Sequence, residues 1–313
     1  MRFAISIPQF SADGAFDPAA FRAYLTRVEQ SGFDSAWTQE QMLGSKPQLG
    51  PIETMTYAAA CTEHLRLGCV VFVSTLHSPV HLAKSISSLD QLSRGRIEVG
   101  FGTGGKQRPF GAFGVDPERY VARFYEGLDV MTRLWRDSRT DYQGEFWQLT
   151  DAAMEPKPFQ KPNPPMWFGG SGRTALRRAV MSPGLFSGFF GAGQVSTAKF
   201  ADQVQIVREA LAESGRPADD FAIAKRVYIA VDDDARSARE RINAELAALY
   251  MRKSPEVEAA AIAGTPEECA VQLREVVAAG AQLILFTPLF AQAEHLERLA
   301  SEVMPVLGAG TSG

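Results

Sequence analysis

Hydrophobic positions along the chain switch back and forth between a two-residue and a three-to-four-residue period. Short apolar runs at 3–7, 35–38, 67–73, 97–101, 166–168, 185–190, 223–231 and 283–286 predict eight strands. Between them, apolar residues recur at helical spacing: Phe21, Leu25 and Val28, then Leu82, Ile86 and Leu89, then Phe124, Leu128, Met131 and Trp135, then Phe200, Val204, Val207 and Leu211. Start signals stand where these helices need them. Pro18 follows Asp17, Pro79 opens the third helix, and Thr265-Pro266-Glu267-Glu268 reads as a capping box with proline at the first helical position. The second helix is predicted over 53–63 and the fourth over 117–136.

Strands that alternate with helices run parallel, and eight of them predict a (β/α)8 TIM barrel of the α/β class. An open doubly wound sheet is the competing architecture. The strand count and the absence of a composition break favour the barrel, as one domain over 1–313. Residues 138–164 interrupt the rhythm. A hairpin is predicted around 142–147, and Pro156, Pro158, Pro162, Pro164 and Pro165 rule out regular helix after it. This is read as an insertion after the fourth helix. The tail, 308–313, has no apolar anchor and is expected to fray.

Composition narrows the partners. With 45% hydrophobic residues the chain can bury a large core, and a net charge of −4 argues against nucleic acid held by a positive field. Cys61, Cys69 and Cys269 are far apart and form no CxxC, which fits a reducing compartment. No stretch reaches the roughly 18 apolar residues of a membrane span, and the N-terminus lacks a signal-peptide pattern. A cytoplasmic protein acting on a small molecule, without membrane or nucleic acid, is expected.

In a barrel, chemistry gathers where strands end. The fourth strand ends in Gly100, Gly102, Gly104 and Gly105, and the fifth runs into Gly169-Gly170-Ser171-Gly172. Glycine there lets backbone approach a bound group, because no Cβ intervenes. Gly100-x-Gly102-x-x-Gly105 matches the dinucleotide fingerprint on paper, but no helix opens on its third glycine. At the fifth junction two readings stand side by side: a phosphate site on free amides, with Ser171 and Thr174, or a plain turn with Ser171 as helix cap. Glu40, ending the second strand, is either an acid or base or a loop anchor. Lys106 and Arg108 are either part of a solvated loop or partners for an anionic ligand tail. His77 and His81 lie four apart across Pro79 with no third ligand nearby, so no metal site is expected and packing or surface roles are the default.

Taken together, LRLGCVVFVSTLHSPVHLAKSISSLDQLSRGRIEVGFGTGG, Phe113-Gly114-Val115, EPKPFQKPNPPMWFGGSGRTALRRA and GTPEECAVQLREVVAAGAQLILF resemble the bacterial luciferase-like family of flavin- and deazaflavin-dependent oxidoreductases. The resemblance implies a flavin-like ring at the strand ends and a phosphate at the fifth junction, on Gly169, Gly170, Ser171 and Thr174. It implies that Thr103, Gly104 and Gly105 line the cofactor's other side. It also implies a non-proline cis peptide at Val70-Val71, beneath the ring. Gly102-Thr103-Gly104 is similar to the coenzyme F-420 branch, where luciferase-type enzymes carry arginine in place of Thr103. That branch implies hydride transfer to or from a small, apolar organic substrate. The FMN alternative implies a monooxygenase supplied by a flavin reductase, and a third reading is a non-catalytic flavin-binding barrel. A homodimer is implied for the family. Glu40 and Gln41 stand where members carry an acidic residue followed by histidine. Glutamine can hydrogen-bond but cannot shuttle a proton, which leaves Glu40 as the candidate acid. Gly105 stands where the sugar-phosphate dehydrogenases carry glutamate, which argues against that substrate class.

Overall fold

The computed structural model describes residues 1–9, 15–44, 47–105, 110–182 and 184–308. Eight parallel strands alternate with helices and close into a (β/α)8 barrel: β1 (Arg2–Ser6), β2 (Ser35–Thr38), β3 (Arg66–Val73), β4 (Ile97–Gly102), β5 (Met166–Phe168), β6 (Gly188–Gly191), β7 (Ala222–Val231) and β8 (Leu283–Thr287). The helices are α1 (Pro18–Gln30), α2 (Pro51–Cys61), α3 (Pro79–Leu92), α4 (Tyr120–Arg136), α5 (Arg173–Val180), α6 (Thr197–Ser214) and α7 (Ala235–Tyr250), with shorter helices and Pro266–Ala278 towards the C-terminus. By contacts the chain divides into two compact units.

The first unit comprises Met1–Pro8, Pro18–Trp37 and Gly170–Gly313. In it β1 pairs with β2 and β8, and β7 pairs with β8 and β6. A short strand, Ile262–Gly264, adds to the far end of β7 and was not predicted, since three residues with a glycine carry too little periodicity. Thr265 caps Pro266–Ala278 with both halves of the predicted capping box present. Strand six starts at Gly188 rather than 185, because the Leu185 amide is bonded back to the Ser182 carbonyl instead of to a neighbouring strand.

The second unit comprises Gln9–Asp17 and Thr38–Gly169. Here β3 pairs with β4 and β4 with β5. α4 starts at Tyr120, three residues later than predicted, because Arg119 stands outside helical dihedrals at φ −110°. Its stripe of Phe124, Leu128, Met131 and Trp135 is fully buried, each residue contributing about 1.5–3 kcal/mol of transfer free energy. The insertion carries the predicted antiparallel hairpin, Thr140–Gln143 against Gln148–Ala152. Glu126 of α4 holds its turn by accepting from the amides of Glu145, Phe146 and Trp147. Arg96, from the SRGR stretch, sends its guanidinium to the carbonyls of Ser93, Leu65, Ala59 and Thr62 and to the Thr62 hydroxyl. That fastens the ends of α2 and α3 under the start of β4.

Candidate active site

In the second unit the site is built on the end of β3. The Val70-Val71 peptide is cis, as the resemblance implies, and the register against β4 shifts between Cys69 and Phe72. Both valines are half-buried. The glycines that end β4 and follow β5 make room for them. A Cβ on Gly169 would stand 2.3 Å from Val71 Cγ1, one on Gly102 2.8 Å from Val71 Cγ2, and one on Gly100 2.7 Å from the Cys69 carbonyl oxygen. The room that these three glycines leave takes the protein's own β3, with Val71 seated on them and its outer side left partly open.

Glu40 follows β2, and its carboxylate is 1% exposed. One oxygen accepts from the Val73 amide at 2.7 Å, and the other meets His77 Nε2 at 2.8 Å. The Glu40 backbone is fixed from its flank: Gln9 donates to the carbonyls of Gln39 and Leu49 and accepts from the Gln39 amide. A carboxylate in this position is an acceptor only, so His77 Nε2 carries the proton and Nδ1 is the nitrogen left for other work. Nδ1 has no hydrogen bond among the described residues. The imidazole is 20% exposed, and Phe72 meets it edge-on at 6.4 Å.

Gln41 does not join this pair. Its amide folds back to the Leu43 carbonyl at 3.4 Å and lies against Gly44. The histidine that reaches Glu40 comes from the segment after β3. For His77 packing or surface roles were the default, because its partner lies 37 positions upstream. The one sequence signal was its place in a loop directly after a strand. His81 is exposed on α3. Thr103 is half-buried and is tied down through its carbonyl, which accepts from Thr75 Oγ1 at 3.0 Å. Arg123 Nε in turn donates to the Thr75 carbonyl at 3.1 Å and lies over the Trp147 ring at 4.2 Å. Gly104 and Gly105 follow Thr103 half-buried, and Gly104 adopts φ +70°, a left-handed value that glycine takes freely. Lys106 and Arg108 lie outside the described residues.

In the first unit, Gly170 and Ser171 lead into α5. The helix cap is Gly172, not Ser171, and no side chain caps it. The first helical bond runs from Leu176 N to Gly172 O, so the amides of 173–175 are unused within the helix. Ser171 and Thr174 are exposed beside them. Free amides and two hydroxyls at a helix N-terminus suit an anion.

A profile of the luciferase-like monooxygenase family matches residues 1–283. An uncharacterised protein of Sinorhizobium fredii, y4vJ, is 31% identical over 48% of this chain and 43% of its own length, so the chain spans less than half of that relative. An F-420-dependent glucose-6-phosphate dehydrogenase of Intrasporangium calvum is 27% identical over 93% of this chain and 96% of its own. Among solved structures, the monooxygenase RslO1 of Streptomyces bottropensis superposes with a TM-score of 0.83 at 21% identity, covering 97% of this chain and 99% of its own. An F-420-dependent secondary alcohol dehydrogenase bound to an F-420–acetone adduct superposes at 0.82 with 18% identity, covering 98% of each chain. At these identities the structural likeness establishes the barrel fold.

Proposed function

The chain belongs to the luciferase-like monooxygenase family, and from that premise we propose that it is an F-420-dependent oxidoreductase moving a hydride to or from a small organic substrate. The observation that carries the reading is the full-length similarity to an F-420-dependent dehydrogenase, joined to Gly102-Thr103-Gly104, which resembles the F-420 branch. The residues present suit such a cofactor. Val70 and Val71 offer an apolar, partly open ledge for a flat ring, and the uncapped start of α5 offers amides, Ser171 and Thr174 for a phosphate. F-420, when bound, supplies a two-electron hydride carrier that reacts poorly with oxygen.

His77 then holds or releases the proton that accompanies hydride movement at a substrate oxygen, acting through Nδ1. Glu40 fixes the imidazole's tautomer and orientation through its bond to Nε2. This gives Glu40 the positioning role and removes Gln41 from the proton path. The family's monooxygenase members favour a second reading, FMN with a flavin reductase. A non-catalytic flavin-binding barrel is the remaining alternative, and the buried Glu40–His77 pair argues against it.

Titration of the purified protein with F-420 and with FMN, followed by fluorescence, tests the choice. Tight F-420 binding is expected, weakened by about 1–3 kcal/mol in Ser171→Ala/Thr174→Val through lost bonds to phosphate. Tight FMN binding without F-420 binding would reverse the cofactor assignment.

A further inference from the structure

The first unit holds a cation that the hydride-transfer reading leaves without a task. Arg226 lies on β7, one residue beyond the Lys225 that pairs with Gly191 at the end of β6, and level with Leu285 of β8. Its neighbour Lys225 points outward, over the Phe200 ring of α6 at 5.7 Å. On β8, Phe286 points outward onto Phe3 and Phe33. Strand alternation therefore turns Arg226 and Thr287 to the face opposite Lys225 and Phe286. Arg226 Nε donates to Thr287 Oγ1 at 3.1 Å, and its guanidinium lies over the Tyr228 ring at 4.9 Å.

Neither contact is an anion. Among the described residues Arg226 has no carboxylate partner, and its two terminal Nη groups make no hydrogen bond. The neighbouring phenols are committed elsewhere: Tyr228 and Tyr250 hydroxyls meet at 2.9 Å, and Tyr250 reaches Gln194 Oε1 at 3.4 Å. A half-buried guanidinium loses hydration, and a hydroxyl and a ring face compensate only part of that loss. With Nε bonded to Thr287 and the guanidinium carbon over the Tyr228 ring, the Nη groups are the donors left over. Two parallel N–H donors on them match the two oxygens of a carboxylate.

We propose that Arg226, oriented by Thr287 and Tyr228, is the binding point for a carboxylate of the bound reactants. The assignment deepens the oxidoreductase reading and rests on it for the two carriers such a carboxylate could have: the organic substrate or the polyanionic tail of F-420. The experiment uses simple probes, benzoate and hexanoate against benzamide and hexanamide, with affinity read by calorimetry on the wild-type chain and on Arg226→Gln. The carboxylates are expected to bind at least about 10-fold tighter than the amides, and Arg226→Gln to abolish that preference. The Arg226 side-chain nitrogen resonances of the wild-type protein, followed during the benzoate titration, give a readout that does not depend on the variant folding. Equal affinity for acids and amides, an unchanged preference in Arg226→Gln, or unmoved Arg226 resonances would each overturn the proposal. Affinity for F-420 and for its tail-free riboside then separates the carriers. A loss in Arg226→Gln confined to F-420 assigns the tail, and no loss for either assigns the substrate. Failure to bind any deazaflavin or FMN strikes the oxidoreductase reading alone, since the acid–amide comparison does not use a cofactor.

Discussion

His77 and Val71 divide the candidate site into a proton-active group and an apolar support. If His77 moves the proton, His77→Asn lowers kcat by about 100-fold or more while the F-420 dissociation constant stays within about twofold. Gln41→Ala leaves kcat within about twofold, because its side chain is turned onto its own loop. Steady-state kinetics beside fluorescence titration checks both, and equal losses in the two variants would remove His77 from the mechanism. Val71 makes a packing prediction. Gly169→Ala places a methyl 2.3 Å from Val71 Cγ1 and is expected to cost about 1–3 kcal/mol in urea unfolding. Adding Val71→Ala relieves the clash, so the double variant is more stable than the sum of the singles predicts, by about 0.5–3 kcal/mol.

At the scale of elements, β7 carries a buried amine as well as Arg226. Lys225 is 1% exposed and donates to the carbonyls of Ala192 and Val195 at 2.5 and 2.8 Å, which ties β7 to the loop between β6 and α6. Burial first, and the adjacent Arg226 second, push its pKa down from 10.5 to about 7. Between those values the unfolded chain holds a proton that the folded chain has released. The unfolded state then binds more protons, so this group makes stability rise with pH from about 7 to 10.5. Urea midpoints at pH 7 and 9 should show that rise in the wild type and a smaller one in Lys225→Met. A slope unchanged by the substitution would mean that the amine stays charged in the fold. Helix α5 contrasts with Pro266–Ala278: the latter is closed by Thr265 and Glu268, the former begins on Gly172 with its amides uncommitted.

For the molecule as a whole, the barrel was legible because its signal is redundant. Eight period switches and repeated Pro or Thr helix starts each constrain the same alternation. The cis peptide at Val70-Val71 followed from the resemblance, not from any local preference of two valines. The site was read less well, for physical reasons. Glu40 and His77 meet across 37 positions, a pairing that no local spacing encodes. Glycine in a sequence marks an approach without naming what approaches, and the sequence did not show that β3 packs against Gly100, Gly102 and Gly169. Arg226 carried no motif, since its meaning lies in the lack of a counter-charge. The family also makes a homodimer the expectation. Light scattering should return about twice the 34.1 kDa chain mass, and a monomer at micromolar concentration would contradict it.

The fan of bonds from Arg96 bears on recombination. One guanidinium serves carbonyls spread from Ala59 to Ser93. Those acceptors are backbone atoms that any related barrel supplies, so a chimera has to keep the donor alone. Hybrids that bring another residue to position 96 leave the carbonyls without their partner and should be the ones that fail to express.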